Sequence, residues 1–119
     1  MTRVSKVILL DDAKEEYEKL KQIVLEQKTK GLESSEEITL FKSIREKSEL
    51  LKLKPEAGKN IPKKYIPHKY DVDNLWKLNL SHFWRMIYTI KGDKIEVVCF
   101  VLDIIPHDEY NKIFGYKKN

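Results

Sequence analysis

The stretch from Leu75 to Tyr116 constrains the fold more than any other part of the chain. Within it, two apolar runs flank the dipeptide Gly92-Asp93, a favoured two-residue hairpin turn. The first run, Phe83 to Ile90, alternates. Trp84, Met86, Tyr88 and Ile90 share one face, and Arg85, Ile87 and Thr89 share the other. An earlier run, Leu75 to Leu80, alternates in the same way, with Trp76, Leu78 and Leu80 opposite Leu75, Lys77 and Asn79. Ser81-His82 turns the chain between them. Ile95 to Ile105 is apolar on both faces over Val97 to Leu102, the pattern of a central strand, and Pro106 ends it. Asp108 to Phe114 reads as a short helix that Gly115 stops.

The preceding residues read as a cover for one side of that sheet. Val4 to Leu10 is a β-branched apolar run, hence a first strand. Asp12 with Glu15 has the spacing of a capping box and opens a helix to about Lys28. Its stripe is Ala13, Tyr17, Leu20 and Val24. Gly31 stops it. Ser34 and Glu37 repeat the capping spacing and open a second helix to about Leu51, with Leu40, Phe41, Ile44 and Leu51 as its stripe. Neither stripe lasts the three heptads of a coiled coil, so the pair reads as a helical hairpin. From Lys54 to Tyr70, Pro55, Gly58, Pro62 and Pro67 exclude any regular element. The expected architecture is a single α+β domain over residues 1–119. It has an N-terminal strand, a helical hairpin packed on one face of a small, mainly antiparallel sheet, and a short C-terminal helix. The face with Trp76, Leu78, Trp84, Met86 and Tyr88 is the heavier one and should receive the hairpin.

Charge then decides what the other face is for. The net charge is +4, and it is uneven. Residues 1–60 carry 13 Lys+Arg against 12 Asp+Glu, whereas residues 61–119 carry 10 against 7. A mildly basic balance permits a polyanionic partner. The Lys54–Tyr70 segment holds Lys54, Lys59, Lys63, Lys64, Lys69 and His68 against Glu56 alone. It is either a solvated crossing loop or the basic rim of a nucleic-acid groove. No apolar run approaches the roughly 18 residues of a membrane span, and the N-terminal run is too short for a signal-peptide core. A soluble cytoplasmic protein is expected, with Cys99 a buried hydrophobe. One cysteine and three scattered histidines lack zinc-ligand spacing, and the glycines form no phosphate loop. Neither metal nor cofactor is expected.

With the hairpin on one face, Lys77 and Arg85 project from the opposite one. A cation in mid-strand needs a reason. One is an ion pair with Glu96 or Asp103; the other is a phosphate site, with the planar Arg fork and the Lys point charge as ligands. His107 and Tyr110 lie three apart at the end of the last strand, on one face of a short helix. His moves protons near neutral pH, and Tyr does so where its surroundings help. Phosphodiester cleavage without a metal would then rest on cations, proton transfer and the 2′-hydroxyl of RNA itself.

Three segments also carry a family likeness: Asn74-Leu75-Trp76-Lys77-Leu78, Phe83-Trp84-Arg85-Met86-Ile87-Tyr88-Thr89-Ile90, and Ile104-Ile105-Pro106-His107-Asp108-Glu109-Tyr110. Over about residues 61–116 the chain resembles the RelE/ParE superfamily of toxins, especially the archaeal RelE-like members of type II toxin–antitoxin systems. The resemblance implies a small ribosome-dependent mRNA endonuclease, with mRNA on the ribosome as substrate and a cognate antitoxin as inhibitor. It matches Arg85 to the strand arginine that engages phosphate and Lys77 to a strand lysine. It matches His107 and Tyr110 to the C-terminal pair, with His107 as acid or base. Lys63, Lys64 and Lys69 of the loop, with Tyr116 and Lys117 of the tail, are the expected RNA-binding rim. Arg85 is the only arginine after residue 60. The ParE branch of the same fold poisons DNA gyrase, so a non-catalytic toxin-fold binding protein is the alternative.

Overall fold

Five strands form one sheet: β1 (Val4–Leu9), β2 (Lys59–Ile61), β3 (Leu75–Asn79), β4 (Arg85–Gly92) and β5 (Glu96–Ile105). They come from a computed structural model that describes residues 4–93 and 95–115. The strand order is β1-β5-β4-β3-β2, antiparallel except where β1 runs parallel to β5. The two edge strands are therefore consecutive in sequence. The helices α1 (Asp11–Thr29) and α2 (Glu36–Leu53) lie between them and carry the chain from one edge to the other. The short helix α3 (His107–Phe114) follows β5 directly.

The hairpin packs on the expected face. Ala13, Leu20 and Val24 of α1 and Leu40, Ile44 and Leu51 of α2 are buried against Leu78, Leu80, Met86, Tyr88, Cys99, Val101 and Ile104. Each fully buried Leu or Ile contributes about 1.5–3 kcal/mol from the area it removes from water. Tyr17 and Phe41 stack between the helices with ring centroids 5.2 Å apart. Helix ends differ from expectation by small shifts. α1 starts at Asp11 with Leu10 as its N-cap and no side-chain cap, so Asp12 and Glu15 form no capping box. Asp11 and Asp12 instead place negative charge at the positive end of the helix. The cap of α2 is Ser35 rather than Ser34, and its Oγ accepts from the Ile38 N–H at 3.0 Å. Gln27 of α1 donates to Glu37 at 2.8 Å, which ties the two helices and holds the Glu37 carboxyl below its usual range.

The β4–β5 turn also lies one step further on. Gly92 is the last residue of β4 and pairs with Val97. The Asp93 N–H donates to the Glu96 carbonyl at 2.9 Å, while Asp93 Oδ1 accepts from the Ile95 and Glu96 N–H groups at 2.8 and 2.9 Å.

Two features of the proline-containing segment overturn the expectation of an irregular loop. Lys59–Ile61 is a strand, in register with Lys77, Trp76 and Leu75 of β3. It is fixed from within the sheet. The Tyr88 hydroxyl donates to the Pro55 carbonyl and accepts from the Gly58 N–H, both at 2.9 Å. Gly58 has to be glycine, because a Cβ there would stand 2.5 Å from the Lys77 carbonyl oxygen and 2.6 Å from the Tyr88 hydroxyl. The second feature is a second core. Ile61, Tyr70, Leu75, Ile87, Ile105 and Tyr110 are buried together on the face away from the hairpin. That face is thus covered at its middle rather than bare. Asp103, 3% exposed, anchors the cover. It accepts from the Tyr70 hydroxyl at 2.7 Å and pairs with Lys69 at 2.8 Å. Burial, then the neighbouring carboxylate, pushes the Tyr70 phenol far above its usual range. Among the described residues, no helix is long and apolar enough to cross a membrane.

Candidate functional site

Register places the strand cations. Lys77 pairs with Ile87 and Asn79 pairs with Arg85 across β3 and β4. Lys77 and Arg85 are therefore diagonal neighbours on one face, a spacing of roughly 7–8 Å between backbone positions. Both stand over the same ring. Lys77 Nζ lies 4.9 Å from the Tyr110 centroid and Arg85 Cζ lies 5.6 Å from it. A ring face attracts a cation, so one aromatic holds two like charges. Neither expected carboxylate answers them. Glu96 pairs with Lys6 at 3.5 Å, and Asp103 is taken by Lys69. Among the described residues neither Lys77 nor Arg85 makes an ion pair. Arg85 donates from Nη1 to the Trp84 carbonyl at 3.2 Å, and its buried Nε has no hydrogen-bond partner there. Two half-buried cations without a counter-charge form a site that an anion would stabilise.

α3 brings the remaining pieces. Pro106 supplies the carbonyl that accepts from the Tyr110 N–H at 3.0 Å, and Gly115 ends the helix in the left-handed region, φ 70°. Tyr110 is 2% exposed and stacks on Phe114 at 4.3 Å between centroids. It sits beneath the cations as a platform. His107 starts the helix on its half-buried side. Its Nε2 is 3.1 Å from Asn111 Nδ2, and with the amide nitrogen as donor the ring proton is assigned to Nδ1. That Nδ1 is buried without a hydrogen-bond partner among the described residues. The Phe83 ring lies edge-on to His107 at 6.2 Å.

Lys77, Arg85, His107 and Tyr110 are thus brought to one end of the sheet, linked through the Tyr110 ring and α3. The rim lysines are not. Lys69 is bound to Asp103, whose strand partner is Ile87, itself paired with Lys77. Two strand spacings, about 10 Å, separate that ion pair from Lys77. Lys63 and Lys64 are exposed on a short 3-10 turn, with Lys64 Nζ 5.1 Å from the Tyr65 ring, and no described contact ties them to the cation pair. Tyr116 and Lys117 lie outside the described residues. Two further residues join the site: Lys59, expected only as one cation of the Lys54–Tyr70 segment, and Phe83, expected within a strand run. Lys59 faces Lys77 directly across the β2–β3 ladder, which no local pattern around Gly58 and Pro62 announces. Phe83 is 72% exposed beside His107; it belongs to the Ser81–Phe83 turn rather than to the strand run in which its alternation placed it, and β4 starts only at Arg85. A groove of about 480 Å³ opens on the same face near Lys69, Tyr70, Phe100 and Asp103, and its lining includes neither Lys77, Arg85 nor His107. Among the described residues no three His, Cys, Asp or Glu side chains are placed to hold a metal ion.

This strand order, helical cover and C-terminal helix define an α+β class of fold that is also found in a solved toxin. The chain is similar to a YoeB/ParE toxin from Agrobacterium tumefaciens, with a TM-score of 0.56 over 86% of this chain and 98% of that one, at 19% identity. No protein-family model matches the chain, and no curated protein matches it.

Proposed function

We propose that the chain is the toxin of a type II toxin–antitoxin pair and cleaves mRNA on the ribosome without a metal. The observation that carries this reading is the Lys77–Arg85 pair, held over one ring with no counter-charge among the described residues, at the end of the sheet where α3 presents His107. In this reading the two cations bind the scissile phosphate and offset the charge that builds on its non-bridging oxygens. The adjacent 2′-hydroxyl attacks phosphorus and gives up its proton. The bond from phosphorus to the 5′-oxygen breaks, and that oxygen leaves as a hydroxyl with a proton taken up. The products are a 2′,3′-cyclic phosphate and a 5′-hydroxyl end. His107 is the proton-moving residue, because the Tyr110 ring is closed off beneath the cations. Lys59, across from Lys77, extends the phosphate track.

Primer extension on translated mRNA after induction tests the reading. New 5′ ends in the wild type that are lost in Arg85→Ala are expected, with a rate loss of about 10²–10³-fold for a transition-state charge contact. Growth arrest that persists undiminished in a folded Arg85→Ala variant would remove Arg85 from the site. One observation favours a second reading. A buried Tyr110 and a His107 half engaged by Asn111 leave few groups for proton transfer. A non-catalytic binder, a gyrase inhibitor or a decayed toxin that still holds its antitoxin, would give arrest or binding with no new 5′ ends.

A further inference from the structure

The turn from Ser81 to Trp84 has φ of +54° at His82 and +62° at Phe83, and it is closed by the Trp84 N–H donating to the Ser81 carbonyl at 3.3 Å. Positive φ at both central residues is the hairpin geometry that selects Asn and Gly, because a Cβ there is crowded by the backbone. A bulky aromatic at such a position is strained, and strain of this kind persists where the surroundings over-determine it. Here they do: Leu80 donates to the Trp84 carbonyl at 2.8 Å, and the Ser81 N–H is held by Ser43 Oγ of α2 at 3.2 Å. The ring gains no burial in return, since Phe83 is 72% exposed. It stands two residues from Arg85 and 6.2 Å from the His107 ring.

We propose that Phe83 is a substrate-binding residue, a fixed platform on which one RNA base stacks beside the phosphate held by Lys77 and Arg85. This rests on the nuclease reading above and deepens it by naming what grips the base. A base next to a bound phosphate lies within one nucleotide of it, and an aromatic face recognises any base through its π-surface. Base hydrogen bonding is not needed, so the ring sets position along the strand and favours purines, which stack over more area. A turn built on Asn-Gly would make the same hairpin more comfortably and would offer the base nothing.

The test uses the full chain and a six-nucleotide 2′-O-methyl RNA with a central 2-aminopurine, titrated at low salt. Wild type should quench the 2-aminopurine on binding. Phe83→Ala should abolish the quench and weaken binding about 5- to 150-fold, the range for one stacked base, with the salt dependence unchanged because the phosphate cations remain. Phe83→Trp should restore both, and Phe83→Leu, equally apolar but without a π-face, should not. Phe83→Gly should lose the quench while raising the melting temperature, since the strain is relieved. Unaltered quench and affinity in Phe83→Ala would overturn the proposal and give the ring to a protein partner. So would a lower melting temperature in Phe83→Gly. If wild type fails to quench yet still produces new 5′ ends in cells, stacking fails alone. If it produces neither, the nuclease reading fails and stacking with it.

Discussion

Tyr88→Phe removes one oxygen from the middle of the protein and should release the edge of the sheet that carries Lys59. Tyr88 is fully buried, and its hydroxyl joins β4 to the chain that leads into β2 through two bonds of 2.9 Å. The substitution leaves no cavity beyond a hydroxyl. The cost is two hydrogen bonds, each contributing about 0.5–1.5 kcal/mol, plus the Pro55 carbonyl left buried without its donor at about 1–3 kcal/mol. The Gly58 N–H is half-buried and regains some solvation. These contributions sum to about 2–6 kcal/mol, and with the Gly58 N–H regaining water the low end, about 2–3 kcal/mol, is expected, or roughly 6–15 °C in melting temperature at this chain length. Chemical denaturation followed by circular dichroism measures it. Hydrogen exchange should show the Lys59–Ile61 amides opening far more often, while β5 amides follow only global stability. Gly58→Ala strikes the same contact from the other side, since its Cβ would meet both the Lys77 carbonyl and this hydroxyl. The double variant should therefore cost clearly less than the two singles added. A Tyr88→Phe loss below about 0.5 kcal/mol, with β2 still protected, would refute the anchor argument.

Asp103→Asn should cost about 2 kcal/mol, mostly from the charged acceptor lost by Tyr70, because the Lys69 side chain is 42% exposed and its share is screened; urea titration reads it. Alkaline pH should weaken the fold through the buried Cys99 thiol and Tyr88 phenol, with the buried Tyr70 phenol adding to the loss above about pH 10. Burial holds the Cys99 thiol up at about 11 from 9.0 and the Tyr88 phenol at about 12 from 10.0. Each prefers its neutral form when folded, so stability is whole below pH 9, falls from 9 to 11 as unfolded thiol ionises, and falls again from 10 to 12 with the phenol. Native protein at pH 8 should accordingly resist iodoacetamide at Cys99, with labelling at the rate of unfolding; fast stoichiometric labelling would contradict its burial. Lys59→Ala should weaken oligonucleotide binding and lower the slope of log affinity against log salt by about one, with melting temperature nearly unchanged.

What the sequence disclosed depended on how local the determinant was. Period-two alternation assigned Trp76, Leu78, Met86 and Tyr88 to the hairpin face, and period 3.6 gave both helix stripes, because each pattern is written within a dozen residues. β2 was hidden because its three residues offer one apolar side chain, and its strand geometry comes from the open edge of β3 and a hydroxyl 30 residues away. The second core was partly legible. Leu75, Ile87 and Ile105 alternate with the cations on the far face, and three such residues needed a cover, yet Tyr70 and Tyr110 reach them only through tertiary folding. The Lys69–Asp103 pair spans distant segments with no spacing to betray it. Among candidate site residues, opposite faces of adjacent strands were readable, so Lys77 and Arg85 fell together. The Tyr110 ring beneath them was not, since helix periodicity says nothing about what a helix lies against.

Helices of 19 and 18 residues commit only six buried side chains to the sheet, and the cation pair, His107, Tyr110 and Phe83 all come from later in the chain. Such a lid is constrained mainly at those six positions, at the aromatics packed beside them and at Ser43, whose Oγ holds the Ser81 N–H. Its outward positions answer to little beyond solubility, so over generations they can be rewritten almost freely. Lineages sharing this architecture should drift apart fastest in their first halves, until ancestry survives in the path of the backbone and is lost from the spelling.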